Sequence, residues 1–246
     1  MAEFCIEIAG RTAAVRSLFD STRDYCGRYL SEKTPDIFLT VCREELEQEQ
    51  QRLRQEALEE GLRFRQFPDP FLERSVIQRK LAERLLDFDV LLFHGSTVAV
   101  DGEAYLFTAH CGTGKSTHTR LWRQVFGDRA VMVNDDKPFL RFTESGVLAC
   151  GAPWSGKHGL DSNLSLPLKG ICILRRGTEN RIRPAAPPEA LEMLRKQAQQ
   201  SLNPANMPRC RELVCRLSSA VPLWQMECTR DPQAAWMAYG AMSGRK

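Results

Sequence analysis

Residues 109–117 read Ala-His-Cys-Gly-Thr-Gly-Lys-Ser-Thr, and this stretch decides the fold. The glycines at positions 112 and 114 permit positive φ angles, so that successive backbone N–H groups can surround an anion. A strand-like run precedes the stretch, and a helix-like run over 117–125 follows it with its positive end toward the same anion. This context predicts a loop that binds nucleotide phosphates.

Each residue type in the loop predicts a particular role in binding ATP and Mg²⁺. Lys115 is expected to neutralise the β and γ phosphates, and the Ser116 hydroxyl is expected to ligate Mg²⁺. Ala109 stands where the usual pattern has its first glycine, so the start of the loop must accommodate a Cβ atom. A chance glycine-rich turn before a helix is the alternative interpretation. The predicted nucleotide-binding residues are Cys111, Gly112, Thr113, Gly114, Lys115, Ser116 and Thr117.

Two adjacent carboxylates are the leading candidates for catalysis. Asp135 and Asp136 follow a short apolar strand, 130–133, and so lie at its carboxyl end, where α/β proteins place phosphate ligands. Phosphoryl transfer needs a metal and a carboxylate that orients or deprotonates the acceptor. Neighbouring side chains on an extended chain point to opposite sides, so one carboxylate can address metal and substrate while the other holds a neighbour. A turn-initiating pair before Lys137 is the alternative.

One histidine and one glycine-rich segment join these candidates. His94 ends an apolar strand and precedes Gly95, which places an imidazole where a strand gives way to a loop. Residues 151–159 form a glycine-rich segment that contains Trp154 and His158. Its length suits a lid or a platform for the acceptor, and a plain connector is the alternative.

Composition limits the partners and the compartment. The 246 residues are 43% hydrophobic, enough for a sizeable core, and carry a formal charge of only +3, which predicts no nucleic-acid partner. No apolar run is long enough to predict a membrane partner. Nine cysteines without a C-x-x-C pair, and no secretory leader, predict reduced thiols and a cytoplasmic location. Homo-oligomerisation stays open. The basic stretch 175–183 is predicted to be a solvated turn after a strand, with substrate binding as the alternative.

The apolar pattern divides the chain into an N-terminal α/β module, 1–88, and a larger domain, 89–246. The elements expected at the beginning of the chain are strand 3–9, helix 13–30, strand 36–42, helix 43–60, helix 71–86 and strand 90–93. The helix over 43–60 carries a thin apolar stripe and is expected to be mostly solvated.

Hairpin signals dominate the larger domain. Asp101 and Gly102 are typical of a two-residue turn between antiparallel strands 97–100 and 104–108. Because the strand before the phosphate loop belongs to a hairpin, the sheet is predicted to be mixed rather than all parallel. The other expected elements are a hairpin of 138–142 with 147–150, helices 188–202 and 209–219, strand 223–228 and helix 231–242.

His94 with Gly95, the hairpin, Cys-Gly-Thr-Gly-Lys-Ser at 111–116 and the strand that ends in Asp135 and Asp136 resemble the catalytic domain of HPr kinase/phosphorylase. That family shares its core with phosphoenolpyruvate carboxykinase, and the resemblance covers about residues 89 to 180. The whole chain more closely resembles divergent bacterial HPr-kinase-like proteins. Thr117 stands where HPr kinases carry glutamate, which brings the loop closer to the carboxykinase version.

The resemblance implies a mixed-sheet P-loop fold, ATP with Mg²⁺, and phosphorylation of a serine hydroxyl. Lys115 would contact the phosphates, Ser116 the metal, and Asp135 the acceptor as acid/base residue. Asp136 and His94 would support Asp135, with Asp136 as a second candidate metal ligand. The exchange of roles between the two carboxylates stays open at this stage.

These features predict an ATP-dependent kinase that phosphorylates a hydroxyl of a peptide, a protein or a small molecule. A nucleotide-hydrolysing switch that acts on a partner is the first alternative, and acceptor-dependent ADP release separates the two. A carboxykinase reaction is the third interpretation.

Overall fold

The computed structural model describes residues 1–59, 61, 63–201 and 203–244. Glu60 and Leu202, the predicted last residues of two helices, lie outside the described residues. The chain divides into two compact units, Met1–Leu85 and Leu86–Lys246. No helix of the described residues is both long and apolar enough to cross a membrane.

The described residues of the first unit form a small three-stranded sheet and three α-helices. Strand β1 (Ala2–Ile8) pairs antiparallel with β2 (Arg11–Ser17), and β2 pairs parallel with β3 (Ile37–Thr40). The helices are α1 (Asp20–Tyr25), α2 (Arg43–Glu59) and α3 (Asp69–Leu85). The predicted strands 3–9 and 36–42 and the predicted helices 43–60 and 71–86 match these elements. Most of α2 is exposed, as its thin apolar stripe predicts.

The predicted helix over 13–30 is wrong. That region contains most of β2, the short helix α1 and a 3₁₀ turn at Gly27–Tyr29. Ala9 and Gly10 take positive φ angles of 52° and 72°, so they turn the chain back into a hairpin with β1. An Ala-Gly pair is a weaker turn signal than the Asp-Gly pair of the second unit, and the alanines of β2 have no strong strand preference.

The second unit contains all the predicted site residues. Its described strands are β4 (Val90–Leu92), β5 (Ser96–Val100), β6 (Glu103–Thr108), β7 (Ala130–Asn134), β8 (Phe139–Thr143), β9 (Gly146–Cys150), β10 (Ser165–Arg176), β11 (Arg181–Pro184) and β12 (Leu223–Cys228). Its described helices are α4 (Lys115–Phe126), α5 (Pro187–Gln197), α6 (Met207–Ala220) and α7 (Gln233–Ser243).

The sheet is mixed, as predicted. The strand order over the described residues is β4-β8-β9-β10-β6-β5-β7, with β12 beside β10 and β11 beside β12. The first hairpin is confirmed, because β5 and β6 pair antiparallel around Asp101 and Gly102, which take φ angles of 54° and 80°. The second hairpin, β8 with β9, is confirmed as well. Strand β10 pairs antiparallel with β9 at its beginning and parallel with β6 and β12 farther along.

Side chains on both faces of this sheet are buried under helices. Along β6, Ala104 and Leu106 pack into a core with α5 and α6, whereas Tyr105 and Phe107 pack into a second core with α4 and α7. A strand covered on both faces reads as a continuous apolar run, which is the pattern of β6. The phosphate loop therefore leaves a rigid central strand.

The predicted solvated turn over 175–183 is wrong in part. Arg175 and Arg176 end strand β10, and β11 begins at Arg181. The turn itself is limited to the few residues between these strands. Parallel pairing with β12 carries β10 to Arg176, a long-range interaction that the local basic pattern does not reveal.

Candidate active site

The phosphate loop lies between β6 and α4, as its sequence predicts. Gly112 and Gly114 have φ angles of 71° and 123°, so both glycines take conformations that side chains rarely adopt. Helix α4 begins at Lys115, and its first N–H groups face the loop. Ala109 is fully buried in the core beside β6, which explains how the loop accommodates a Cβ at this position.

Two cationic side chains hold the loop through its carbonyl oxygens. Arg176 Nη2, at the end of β10, donates to the carbonyl oxygen of Gly112 at 2.6 Å. Lys115 Nζ donates to the carbonyl oxygen of Ala109 at 3.2 Å, and burial lowers the pKa of this ammonium group. The sequence analysis predicted a phosphate-binding role for Lys115 but did not predict that Arg176 supports the loop.

Asp135 is held close to the first turn of α4. Its side chain is buried, and Oδ1 accepts a hydrogen bond from Ser96 Oγ at 2.6 Å. Ser96 Oγ lies 2.8 Å from Thr119 Oγ1, one helical turn beyond Lys115. This chain of hydroxyl groups fixes the Asp135 carboxylate at the end of α4 where Ser116 stands.

Asp136 is half-buried and faces His94. Its Oδ1 lies 3.4 Å from His94 Nε2. Burial raises the pKa of the Asp136 carboxyl, although Lys137 and Lys115 oppose that effect. Burial, aided by the same two lysines, lowers the pKa of His94 to about 3, so this imidazole is neutral near neutral pH. The pair thus consists of a carboxylate with increased proton affinity and a neutral histidine.

Asn134, which the sequence analysis missed, organises the turn that carries both carboxylates. Its side chain is fully buried, and Oδ1 accepts hydrogen bonds from the backbone N–H groups of Asp136 at 2.8 Å and Lys137 at 2.6 Å. Its Nδ2 donates to the carbonyl oxygens of Ala152 at 2.8 Å and Trp154 at 3.3 Å. An asparagine just before a charged pair was a local turn signal that could have identified it.

The glycine-rich segment 151–159 is firmly attached at its beginning. A Cβ atom on Gly151 would lie 1.8 Å from the carbonyl oxygen of Ser162, so this position requires glycine. Ser155 is buried and donates to Asp161 Oδ2 at 2.7 Å. The next residues, Gly156 to Gly159, are exposed and contribute Lys157 and His158 to the wall of a cleft. Only residues 156–158 of the segment line this cleft.

A cleft of about 840 Å³ brings most of the predicted residues together. The predicted residues that line it are His94, Cys111, Gly112, Gly114, Lys115, Ser116, Thr117, Asp135 and Asp136. Arg120, Arg123, Lys157 and His158 line it as well. Thr113 faces a second cleft of about 370 Å³ on the other side of the loop. Both volumes fall within the range of small-molecule sites, about 300 to 1,000 Å³.

The second cleft contains no carboxylate among its described lining residues. It is bounded by the phosphate loop, by Leu121 and His118 of α4, by Arg176 and Gly177, and by Thr229 and Arg230 after β12. The two clefts share Gly112, Gly114 and Thr117, so one extended ligand could lie across the loop and occupy both.

The residues of the first cleft fit a magnesium-bound nucleotide. Two carboxylates, the Ser116 hydroxyl and a glycine nest at a helix N-terminus supply oxygen ligands for the metal and N–H groups for the phosphates. No cluster of three or more His, Cys, Asp or Glu side chains suited to a metal occurs among the described residues. Mg²⁺ commonly takes only one or two carboxylates and completes its shell with phosphates and water.

His118 supports the loop from within the core. It is buried, and its Nε2 accepts a hydrogen bond from Trp122 Nε1 at 3.1 Å. Burial lowers the pKa of His118 from 6.5 to about 4. In the unfolded chain this imidazole binds a proton near pH 6.5, whereas in the folded chain it does so only near pH 4. Folding stability must therefore fall as the pH falls through this interval.

His118→Gln is expected to reduce the loss of unfolding free energy between pH 7 and pH 4 by on the order of 2 to 3 kcal/mol. Glutamine retains an acceptor for Trp122 but does not titrate. Chemical denaturation at both pH values measures the difference. His110→Gln, the same substitution at an exposed histidine, is measured beside it as the control. If the unfolding free energy of His118→Gln depended on pH as strongly as that of the natural chain, the prediction would be contradicted.

Comparisons with known proteins find similarities among solved structures. No family model and no curated protein matches the chain. The chain is similar to the Hpr(Ser) kinase/phosphatase from Coxiella burnetii, with 11% identity over 62% of this chain and 93% of that chain. The TM-score is 0.35. These values indicate a distant structural relationship to that kinase/phosphatase, and the functional assignment rests on the geometry of the site itself.

Proposed function

We propose that the chain is an ATP- and Mg²⁺-dependent kinase that transfers the γ-phosphoryl group to a hydroxyl of a peptide, a protein or a small molecule. The observation that carries this proposal is the shared cleft. The phosphate loop, with Lys115 and Ser116, and the carboxylates Asp135 and Asp136 line one cavity of a size suited to small-molecule ligands. Phosphoryl transfer depends mostly on positioning and electrostatic stabilisation, and these residues supply both.

The two clefts differ in chemistry, which favours one orientation of the bound nucleotide. The cleft with the carboxylates is the side where the γ phosphate meets the acceptor, because general-base chemistry requires a proton-accepting group there. The carboxylate-free cleft on the other side takes the nucleoside. Leu121 offers it an apolar surface, and Thr113, Thr229 and Arg230 offer it polar groups.

The two carboxylates have different environments, which favours different roles. Asp135 is buried and fixed by Ser96 near Ser116, so we assign Asp135 and Ser116 to the metal. Asp136 is more exposed to the cleft and has the raised pKa of a proton acceptor. This assignment exchanges the roles that the sequence analysis expected for the two residues, an exchange it had left open.

Each residue then has a defined part in one transfer step. The acceptor oxygen forms a bond to the γ phosphorus while the bond from that phosphorus to the β–γ bridging oxygen breaks. The hydroxyl proton passes to Asp136, which neutral His94 keeps oriented. Lys115 balances the negative charge of the phosphates, and bound Mg²⁺ would neutralise charge that develops on the leaving group.

Lys115→Ala is expected to weaken binding of the Mg²⁺ complex of a β,γ-imido ATP analogue by about tenfold to a hundredfold, because a charge-assisted contact is lost. Calorimetric titration measures the affinity. Lys169→Ala provides a matched loss of charge, since Lys169 pairs with Glu103 at the opposite end of β6 from the loop. Equal affinity in the Lys115 variant and the natural chain would mean that the loop is not a phosphate site.

Transfer itself is tested with ATP labelled at the γ phosphate and a set of hydroxyl-bearing peptides and small molecules. A kinase should release ADP faster when its acceptor is present and should move the label to that acceptor. ADP release at one constant rate, with all label appearing as inorganic phosphate whatever acceptor or protein extract is added, would favour the nucleotide switch.

A further inference from the structure

Two arginines extend the site along α4 beyond the phosphate end. Ser116, Arg120 and Arg123 follow the i, i+4, i+7 spacing of one helix face, and all three line the carboxylate cleft. At 1.5 Å per residue, the arginines stand about 6 Å and about 10 Å along the helix axis from Ser116.

These arginines have no acidic partner among the described residues. No ion pair or side-chain hydrogen bond connects Arg120, Arg123 or Lys157 to another described residue. Arg175, Arg209 and Arg216, by contrast, each pair with a carboxylate. Arg123 Nε is buried and has no hydrogen-bond partner in the described chain. A buried donor without a partner is costly, which favours a ligand that accepts its hydrogen bond.

Cationic side chains outnumber carboxylates in the lining of the cleft. Four cationic side chains, Lys115, Arg120, Arg123 and Lys157, face two carboxylates. Lys115 and the N-terminus of α4 face the phosphate nest, and Asp135 and Asp136 are committed to the metal and the acceptor proton. The other three cations therefore create a positive field at the acceptor end.

We propose that the acceptor carries an oxyanionic group, a carboxylate or a phosphate, near the hydroxyl that is phosphorylated, and that Arg120 and Arg123 bind this group. The inference rests on the proposed kinase function. Guanidinium groups hold carboxylate and phosphate oxygens through paired N–H donors, which orients the neighbouring hydroxyl toward Asp136. The shared chemistry can come from a small anionic molecule or from an acidic peptide.

The test fills the nucleotide site with the Mg²⁺ complex of the β,γ-imido ATP analogue and then measures probe binding by calorimetry. Glycerol 3-phosphate is compared with glycerol, and an acetylated Asp-Ser-Asp amide is compared with its Asn-Ser-Asn counterpart. We expect at least one anionic probe to bind about tenfold or more tightly than its neutral counterpart. A preference in the glycerol pair would indicate a small anionic acceptor, and a preference in the peptide pair would indicate an acidic peptide.

The double variant Arg120→Gln/Arg123→Gln should lose that preference by about tenfold or more and should bind the nucleotide analogue as the natural chain does. Arg211→Gln removes a charge from an exposed position of α6 outside both clefts and should change neither affinity. Equal binding of charged and neutral probes, or loss of nucleotide affinity in the double variant, would overturn the inference. If the natural chain does not bind the analogue at all, the kinase proposal fails, while the probe pairs without nucleotide still decide whether the arginines bind anions.

Discussion

Asp136→Asn is expected to lower the rate of phosphoryl transfer by about 10² to 10⁴-fold, the usual effect of losing a general acid–base group. The amide retains the size and shape of the side chain but cannot accept the acceptor proton. Nucleotide affinity should change little, because Lys115 and the loop N–H groups supply the phosphate contacts. Single-turnover transfer from labelled ATP measures the rate once an acceptor is known, and slow ATP hydrolysis serves before then.

The pH profile tests the same residue independently. The Asp136 carboxyl must be ionised to accept a proton, and burial raises its pKa above the ordinary value of 3.8. The transfer rate should therefore rise with pH through that raised pKa, and this rise should be absent in Asp136→Asn. His94 is already neutral above about pH 3 and should therefore add no further pH dependence to the transfer rate near neutral pH.

Asp135→Asn is the matched control for role assignment. If Asp135 holds the metal, its variant should lower the affinity for the Mg²⁺ complex and respond to added Mg²⁺, which Asp136→Asn should not. The opposite result would support the roles expected from the sequence. In that case Asp136→Asn would be fully active, and Asp135→Asn would lose phosphoryl transfer while keeping its nucleotide affinity.

Local signals predicted the parts of the fold that depend on local chemistry. Asp101 and Gly102 predict their hairpin because few residue pairs tolerate positive φ at both turn positions, and the structure confirms it. The mixed sheet followed from that hairpin. Gly112, Gly114 and Lys115 stand out for the same reason, since a phosphate loop requires those residue types at that spacing.

Features that depend on distant partners could not be predicted in this way. Strand β2 was mistaken for a helix because its strand character comes from pairing with β1 and β3 rather than from its own alanines. Arg176 contacts Gly112, which is far from it in sequence, only because β10 and β6 are parallel neighbours. In the sequence, Arg120 and Arg123 fit an ordinary solvated helix face, and only the structure shows that they line the cleft.

Asn134→Ala is expected to lower the free energy of unfolding by about 2 to 6 kcal/mol, since four buried or partly buried hydrogen bonds of about 0.5 to 1.5 kcal/mol each are lost. Chemical denaturation measures this loss. The same bonds join the turn of Asp135 and Asp136 to the segment that begins at Gly151, so transfer should fall even where the variant is fully folded.

A matched change separates this role of Asn134 from simple burial. Thr97→Val replaces another buried polar side chain at the same sheet, one whose Oγ1 has no hydrogen-bond partner among the described residues, and it should be close to neutral for stability and transfer. If Asn134→Ala behaved like Thr97→Val in both measurements, the Asp135–Asp136 turn would not depend on Asn134. If the Asn134 variant were destabilised but transferred phosphate normally when folded, this residue would support the fold without positioning the carboxylates. The geometry favours a loss of both, because the backbone N–H of Asp136 itself is bound by Asn134 Oδ1.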